Sequence, residues 1–177
     1  MDLTRREDSM KTAEGFTLTE LLIVIGLILV VAALVIPHFL HSKIAANEAS
    51  AVSAIQTINR AEISYQSAYP TKGFAAKLAD LGGAKPCVPS AASACLIDNV
   101  LAGGTKNGYV FASIGTTPAA NGVLMDYTVG AAPVEYNETG VRLFCSTSNA
   151  VIRYSANPRH GTTPPDPAQC PQETPLE

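Results

Sequence analysis

The chain has 177 residues, enough for one domain of ordinary size with a real core and too few for two large ones. Its formal net charge of -3, with only 15% charged residues, excludes the basic field that holds nucleic acid through phosphate contacts. Hydrophobic residues make up 47%, but many fall in one run at 21–35, so the remainder has the Ala-, Gly-, Ser-, Thr- and Pro-rich composition of an ordinary soluble domain.

Residues 1–15 are hydrophilic, with Arg5, Arg6 and Lys11 mixed among Asp2, Glu7, Asp8 and Glu14. Residues 21–36 then carry no charge and no strong hydrogen-bonding side chain. As a helix they cover about 24 Å, short of the roughly 30 Å of a bilayer core. Extending the helix over 16–39 gives about 36 Å, which spans, but only by taking Glu20 into or near the membrane. A secretory signal does not fit, because Ile36, Pro37, His38 and Phe39 stand where a small-residue cleavage site belongs. A plain uncleaved anchor explains the hydrophobicity and leaves Glu20 unexplained.

Gly15 followed by Phe16-Thr17-Leu18-Thr19-Glu20-Leu21-Leu22-Ile23-Val24-Ile25 resembles the class III signal of type IV prepilins and pseudopilins. That pattern is a hydrophilic leader ending in Gly, then Phe, Thr or Ser, Leu, a variable residue, Glu, and an unbroken apolar helix. The resemblance implies that a membrane-embedded prepilin peptidase cuts between Gly15 and Phe16 and methylates the new amine. It also implies an inner-membrane, single-pass subunit, handed by the pilus assembly machinery to an extracellular filament of its own copies. The leader is longer and less basic than the commonest form. Translation starting at Met10 would give Met10-Lys11-Thr12-Ala13-Glu14-Gly15, closer to the family's shape.

An unpaired acidic side chain at mid-bilayer costs about 2.5–3.5 kcal/mol on insertion scales, so such residues tend to mark function or a buried partner. Glu20 also lies four residues from Phe16, a spacing at which the two can meet on one helix. In the family this glutamate is thought to pair with the N-terminal amine of a neighbouring subunit. Opposite charges attract strongly in low dielectric and are penalised when left alone, so the contact implies a registry role. Gly26 weakens a helix and Pro37 removes a backbone hydrogen bond and tends to kink it. Pilins commonly carry a proline at this offset, near a stretch of helix that loosens in the fibre; the alternative is that Pro37 ends the membrane helix.

From 38 to 69 there is no Pro or Gly, and Ile44, Ala51, Ile58 and Tyr65 recur every seven residues with Val52 and Ile55 beside them. This predicts an amphipathic continuation, one helix of about fifty residues over 16–67, ended by Tyr69-Pro70. Residues 71–104 read as a loop-rich connector with possible short helices at 75–81 and 96–101. Runs at 109–114, 123–129, 141–146 and 151–155, rich in Val, Ile, Tyr, Phe and Thr and parted by Gly, Pro and Asn, predict an antiparallel sheet of about four strands packed on the helix.

Cys87, Cys95, Cys145 and Cys170 all follow the apolar run, where an exported domain meets an oxidising compartment. Four cysteines allow three connectivities; sequence separation favours 87 with 95 and 145 with 170, each closing a local loop, with free buried thiols as the alternative. The proline-rich tail from Asn157 then depends on Cys170 for order. Such a tail resembles the cysteine-closed C-terminal region of type IV pilins in architecture.

Little else suggests chemistry. His38 and His41 stand three apart with no recognisable further ligand. Gly103-Gly104-Thr105-Lys106 lacks phosphate-loop spacing and reads as a turn. Asn137-Glu138-Thr139 fits a glycosylation sequon but reads as a surface turn. Asp98, Asp126 and Asp166 form no ligand-dense loop for calcium. No nucleophile and base pair up, and no cofactor, metal or catalytic residue is expected.

The expectation is thus an α+β subunit with a leader (1–15), an apolar membrane and filament-core helix (16–37), an amphipathic helix (38–68) and a C-terminal head with a disulfide-tied tail (69–177). Its implied function is assembly into a type IV pilus through helix packing. The alternative is a pseudopilin of a type II secretion or competence (DNA uptake) system, which shares every N-terminal feature. A membrane-tethered binding module or enzyme is the rival of another class.

Overall fold

Helix α1, Leu18–Ala68, starts where the sequence supplies a cap. The Thr17 hydroxyl accepts the Glu20 backbone N–H at 3.2 Å, and the Thr17 carbonyl accepts the Leu21 N–H at 3.2 Å. It ends one residue before Tyr69-Pro70, because a residue preceding proline is pushed out of helical backbone. This computed structural model of the chain describes residues 15–155 and 170–176, leaving aside the side chains of Ile36 and Pro37. The leader up to Glu14, with Met10, and the tail segment holding Asn157 and Asp166 lie outside the described residues.

The chain divides into two units, Met1–Phe39 and Leu40–Glu177. In the first, α1 is apolar through 21–35 and exposed there except at half-buried Ala32, and by length and composition it can cross a membrane. In the second, α1 buries one face: Ala51, Ala54, Ile55, Ile58, Ala61 and Tyr65 are all in the core. These are the positions that a helical period of 3.6 brings onto one side. Val52, beside them, is half-buried against the same core.

Opposite this face lies a six-stranded antiparallel sheet in simple meander order: β1 Thr105–Lys106, β2 Tyr109–Pro118, β3 Leu124–Pro133, β4 Leu143–Thr147, β5 Ile152–Ser155 and β6 Thr174–Pro175. The chain is α+β, as the change of period from helical to alternating predicts. Register pairs Phe111 with Ala131, Val129 with Ser146 and Phe144 with Tyr154. The inward set of Tyr109, Phe111, Tyr127, Val129, Ala131 and Phe144 therefore meets α1. The four expected strands are the central ones. The outer two, two residues each, are short edges that offer little template for unwanted pairing.

Element boundaries shift where side chains from α1 take backbone groups. Strand β4 begins at Leu143 rather than 141 because the Val141 and Arg142 amides donate to the Glu48 carboxylate. The expected helix at 75–81 shrinks to a 3-10 turn, Leu78–Leu81, since the Ala75 amide is held by Glu62. The helix expected at 96–101 becomes α2, Asn99–Ala102, because Asp98 caps it through the Leu101 amide while the Leu96 and Ile97 amides bond to the Leu81 carbonyl.

Candidate functional site

Two sets of residues stand out, one in each unit. In the first, Gly15 and Phe16 precede the helix, and Phe16 is 80% exposed. Glu20 lies in the first turn of α1, exposed, at the helix end where a carboxylate is favoured by the peptide dipoles. Thr17-Leu18-Thr19-Glu20 is thereby a capping-box sequence whose Thr half is formed. That signal is present in the sequence and gives both polar residues a local reason to be there. A Cβ on Gly26 would meet nothing within 4 Å, so none of the described residues requires glycine there. The helical span runs through Pro37, which does not end it. Leu27, Ile28, Val31, Ala32 and Val35 line a wholly apolar groove.

In the second unit, two polar stations join α1 to the sheet. At the first, Glu48 is buried and its Oε1 accepts the Val141 and Arg142 amides at 2.9 and 3.1 Å, while its Oε2 pairs with Arg142 Nε at 2.8 Å. Beside it Asn47 Nδ2 donates to the Thr139 carbonyl at 2.9 Å, and Asn107 Nδ2 donates to Ser50 Oγ at 2.7 Å. The Arg142 guanidinium also lies over the Tyr154 ring, 5.6 Å from its centroid.

At the second station Glu62, 0% exposed, accepts the Ser113 hydroxyl at 2.6 Å and the Ala75 amide at 2.9 Å. Burial pushes its pKa up, these two hydrogen bonds pull it down by less, and nearby Asp80 adds to the rise. Next to it the Tyr127 hydroxyl donates to Asn59 Oδ1 at 3.2 Å, and Asn59 Nδ2 donates to Ser146 Oγ at 2.9 Å. Burial first, then the Glu62 charge, pushes Tyr127 up to about 12. Among the described residues no buried side-chain nitrogen or oxygen lacks a partner. The amphipathic pattern read from apolar residues does not include Glu48, Asn59 or Glu62; the seven-residue spacing of Glu48 and Glu62 through Ile55, on the face of Ala51 and Ile58, is the signal that those two turn inward.

The cysteines form two disulfides, Cys87–Cys95 and Cys145–Cys170. The second fastens Cys170, fully buried, to the centre of the sheet on β4. Asp98 is held below the usual carboxylate range by the Leu101 amide it caps and by Lys106 at 3.0 Å. Gly103 and Gly104 form the turn between α2 and β1. Asn137 sits at positive φ in an exposed turn whose Thr139 hydroxyl is bonded to Glu135 backbone. His38 and His41 are exposed on α1, and Asp126 bonds to the Tyr127 amide. Among the described residues no group of three or more His, Cys, Asp or Glu is placed to hold a metal ion.

No protein-family model, curated protein or solved structure matches this chain.

Proposed function

We propose that this chain is a structural subunit of a type IV pilus. The observation that carries the reading is the uncharged, exposed run at 21–35, preceded directly by Gly15-Phe16-Thr17-Leu18-Thr19-Glu20. An apolar helix surface of this extent needs a cover, and two covers serve in succession: lipid while the subunit is stored in the inner membrane, and the helices of other copies once assembled. Prepilin peptidase removes the leader after Gly15, and the amine it exposes on Phe16 becomes available to Glu20 of a neighbour. In the low dielectric of a filament core, that pair favours the docked arrangement over any in which Glu20 is left alone. Gly26 and Pro37 loosen the helix where it must adapt to its neighbours. The disulfide-closed head is displayed outside, and the role is assembly rather than catalysis.

The test is electron microscopy of filaments sheared from cells, with mass spectrometry of their main subunit. The expected subunit is this chain, starting at a methylated Phe16. Recovery only from the membrane fraction would reject the pilus reading and leave the pseudopilin of a secretion or DNA-uptake system in its place.

A further inference from the structure

Glu48, Ile55 and Glu62 are seven residues apart along one face of α1, all buried against the sheet side of the head. The apolar residues on that face repeat with the same interval: Ala54 precedes Ala61, and Ala51, Ile58 and Tyr65 succeed one another. Such a face keeps its apolar character under a displacement of seven residues, about 10.5 Å along the axis, although Ala51, Ile58 and Tyr65 differ in size. Apolar burial is non-directional, so the hydrophobic contribution by itself discriminates weakly between the native position and one shifted by that interval, and what the polar groups impose adds to the size mismatch at these seats.

We propose that Glu48 and Glu62 are the pins of an axial lock, which holds α1 at a single register against the sheet and resists sliding when the helix is pulled from its N-terminal end. The reason is positional. A shift of seven residues toward the N-terminus carries Glu62 into the seat of Ile55, which is fully buried in the apolar core. The same shift carries Ile55 to the seat of Glu48, which strands the Val141 and Arg142 amides and the Arg142 guanidinium. The two half-buried amides carry a desolvation penalty when they lose their acceptor, while the more exposed Arg142 guanidinium loses its ion pair. The opposite shift places Glu48 in the Ile55 seat and Ile55 before the Ser113 hydroxyl and the Ala75 amide. The pins sit fourteen residues apart, about 21 Å, so they fix the axis at both ends of the packed face. The use resembles that of a buried polar residue setting register in a coiled coil. The lock stands independently of the filament reading, since it concerns only α1 and its own sheet.

The test traps register chemically in the full chain, held in detergent with its native disulfides. Ser50→Cys/Asn107→Cys reports the native register, because Asn107 bonds to Ser50 there. Thr57→Cys/Asn107→Cys reports the helix shifted by seven. Initial rates of crosslinking by a short bis-alkylating reagent are read by peptide mass. Placing Glu48→Ile/Glu62→Ile beneath the reporters is expected to raise the ratio of shifted to native product at least about tenfold. Glu48→Gln/Glu62→Gln, which keeps acceptors at both seats, is expected to stay near the original ratio. An unchanged ratio in the isoleucine variant overturns the lock, as does an equal rise in the glutamine variant. If the double isoleucine variant does not fold, Glu62→Ile alone is judged by the direction of the same ratio.

Discussion

Ser113 on β2 gives its hydroxyl to the Glu62 carboxylate at 2.6 Å, at a point on α1 with no exposure to solvent. A carboxyl so placed holds its proton more tightly when folded than when unfolded, since burial raises its pKa above 4.5. Below that value both states are protonated and the contribution to stability is complete. As pH rises toward the folded value, the unfolded chain releases the proton first and stability falls, by up to about 1.4 kcal/mol per pH unit inside the window. Urea unfolding of the parent chain and of Glu62→Gln, between pH 4 and pH 8, checks this. The stability difference between them is expected to drift against the parent with rising pH; a pH-independent difference would contradict the assignment.

The two disulfides close loops of different length, with sequence separations of 8 and 25. Chain entropy then assigns about 2.5 kcal/mol to Cys87–Cys95 and about 3.5 kcal/mol to Cys145–Cys170. The second also fastens a buried residue to β4. Its loss frees Cys170 and the residues C-terminal to it, including the bonds of the Glu173 carbonyl to Arg153 and of the Leu176 amide to Ile152. Replacing each pair by serine and comparing unfolding midpoints is expected to show the larger loss for 145 and 170. The reverse order would place the stabilisation outside loop closure.

Glycines 73 and 26 respond in opposite directions. Gly73 has φ of 76° and sits between the Lys72 carbonyl, which accepts the Leu124 amide at 2.9 Å, and the Phe74 amide, which donates to the Leu124 carbonyl at 3.0 Å. A Cβ there would collide with the Leu124 backbone. Gly73→Ala is expected to lower head stability by about 1–3 kcal/mol through strain alone, with crowding added. Gly26→Ala meets open space and is expected to stabilise the isolated helix by about 0.5–1 kcal/mol. Thermal melts of both variants decide; a stable Gly73→Ala head would show that the connector yields at little cost.

Much of this architecture is legible in the chain, and the exceptions share one cause. The long helix, the central strands and the apolar seam of Ala51, Ile58 and Tyr65 come from periodicity, because apolar burial repeats with the element that carries it. Periodicity read from apolar residues alone passes over the polar side chain that turns inward to serve another element's backbone. Glu48 delays β4 to Leu143, and Glu62 holds Ala75 out of a helix; the partners lie 93 and 13 residues away, each outside α1. The edge strands of two residues each carry no pattern at all and exist only through pairing with β2 and β5. At the other end, the resemblance implies a neighbouring subunit as the partner of Glu20, whereas the structure gives a local role to Thr17, whose hydroxyl accepts the Glu20 amide where α1 starts, two residues after Phe16.

The Thr17 cap on the residue 20 amide sharpens the expectation for Glu20→Ala. Removing the carboxylate leaves the Thr17 cap on the residue 20 amide in place, so the helix still starts at Leu18. It also relieves the cost of an acidic group near the bilayer, at most about 2.5–3.5 kcal/mol at mid-depth, so the variant should be stored in the membrane at least as well as its parent. Peptidase cleavage after Gly15 is expected to proceed, read as a mature chain beginning with Phe16. Under the proposed pilus function, assembly is the step that should fail, because a neighbour's amine would then enter the filament core without a counter-charge. Glu20→Gln separates charge from shape: it retains the polar end and length, and should fail nearly as badly if attraction to the amine is what matters. Filament mass per cell, measured after shearing, is the readout. Parental yields from the alanine variant would remove Glu20 from the assembly step and leave it only its place at the helix N-terminus.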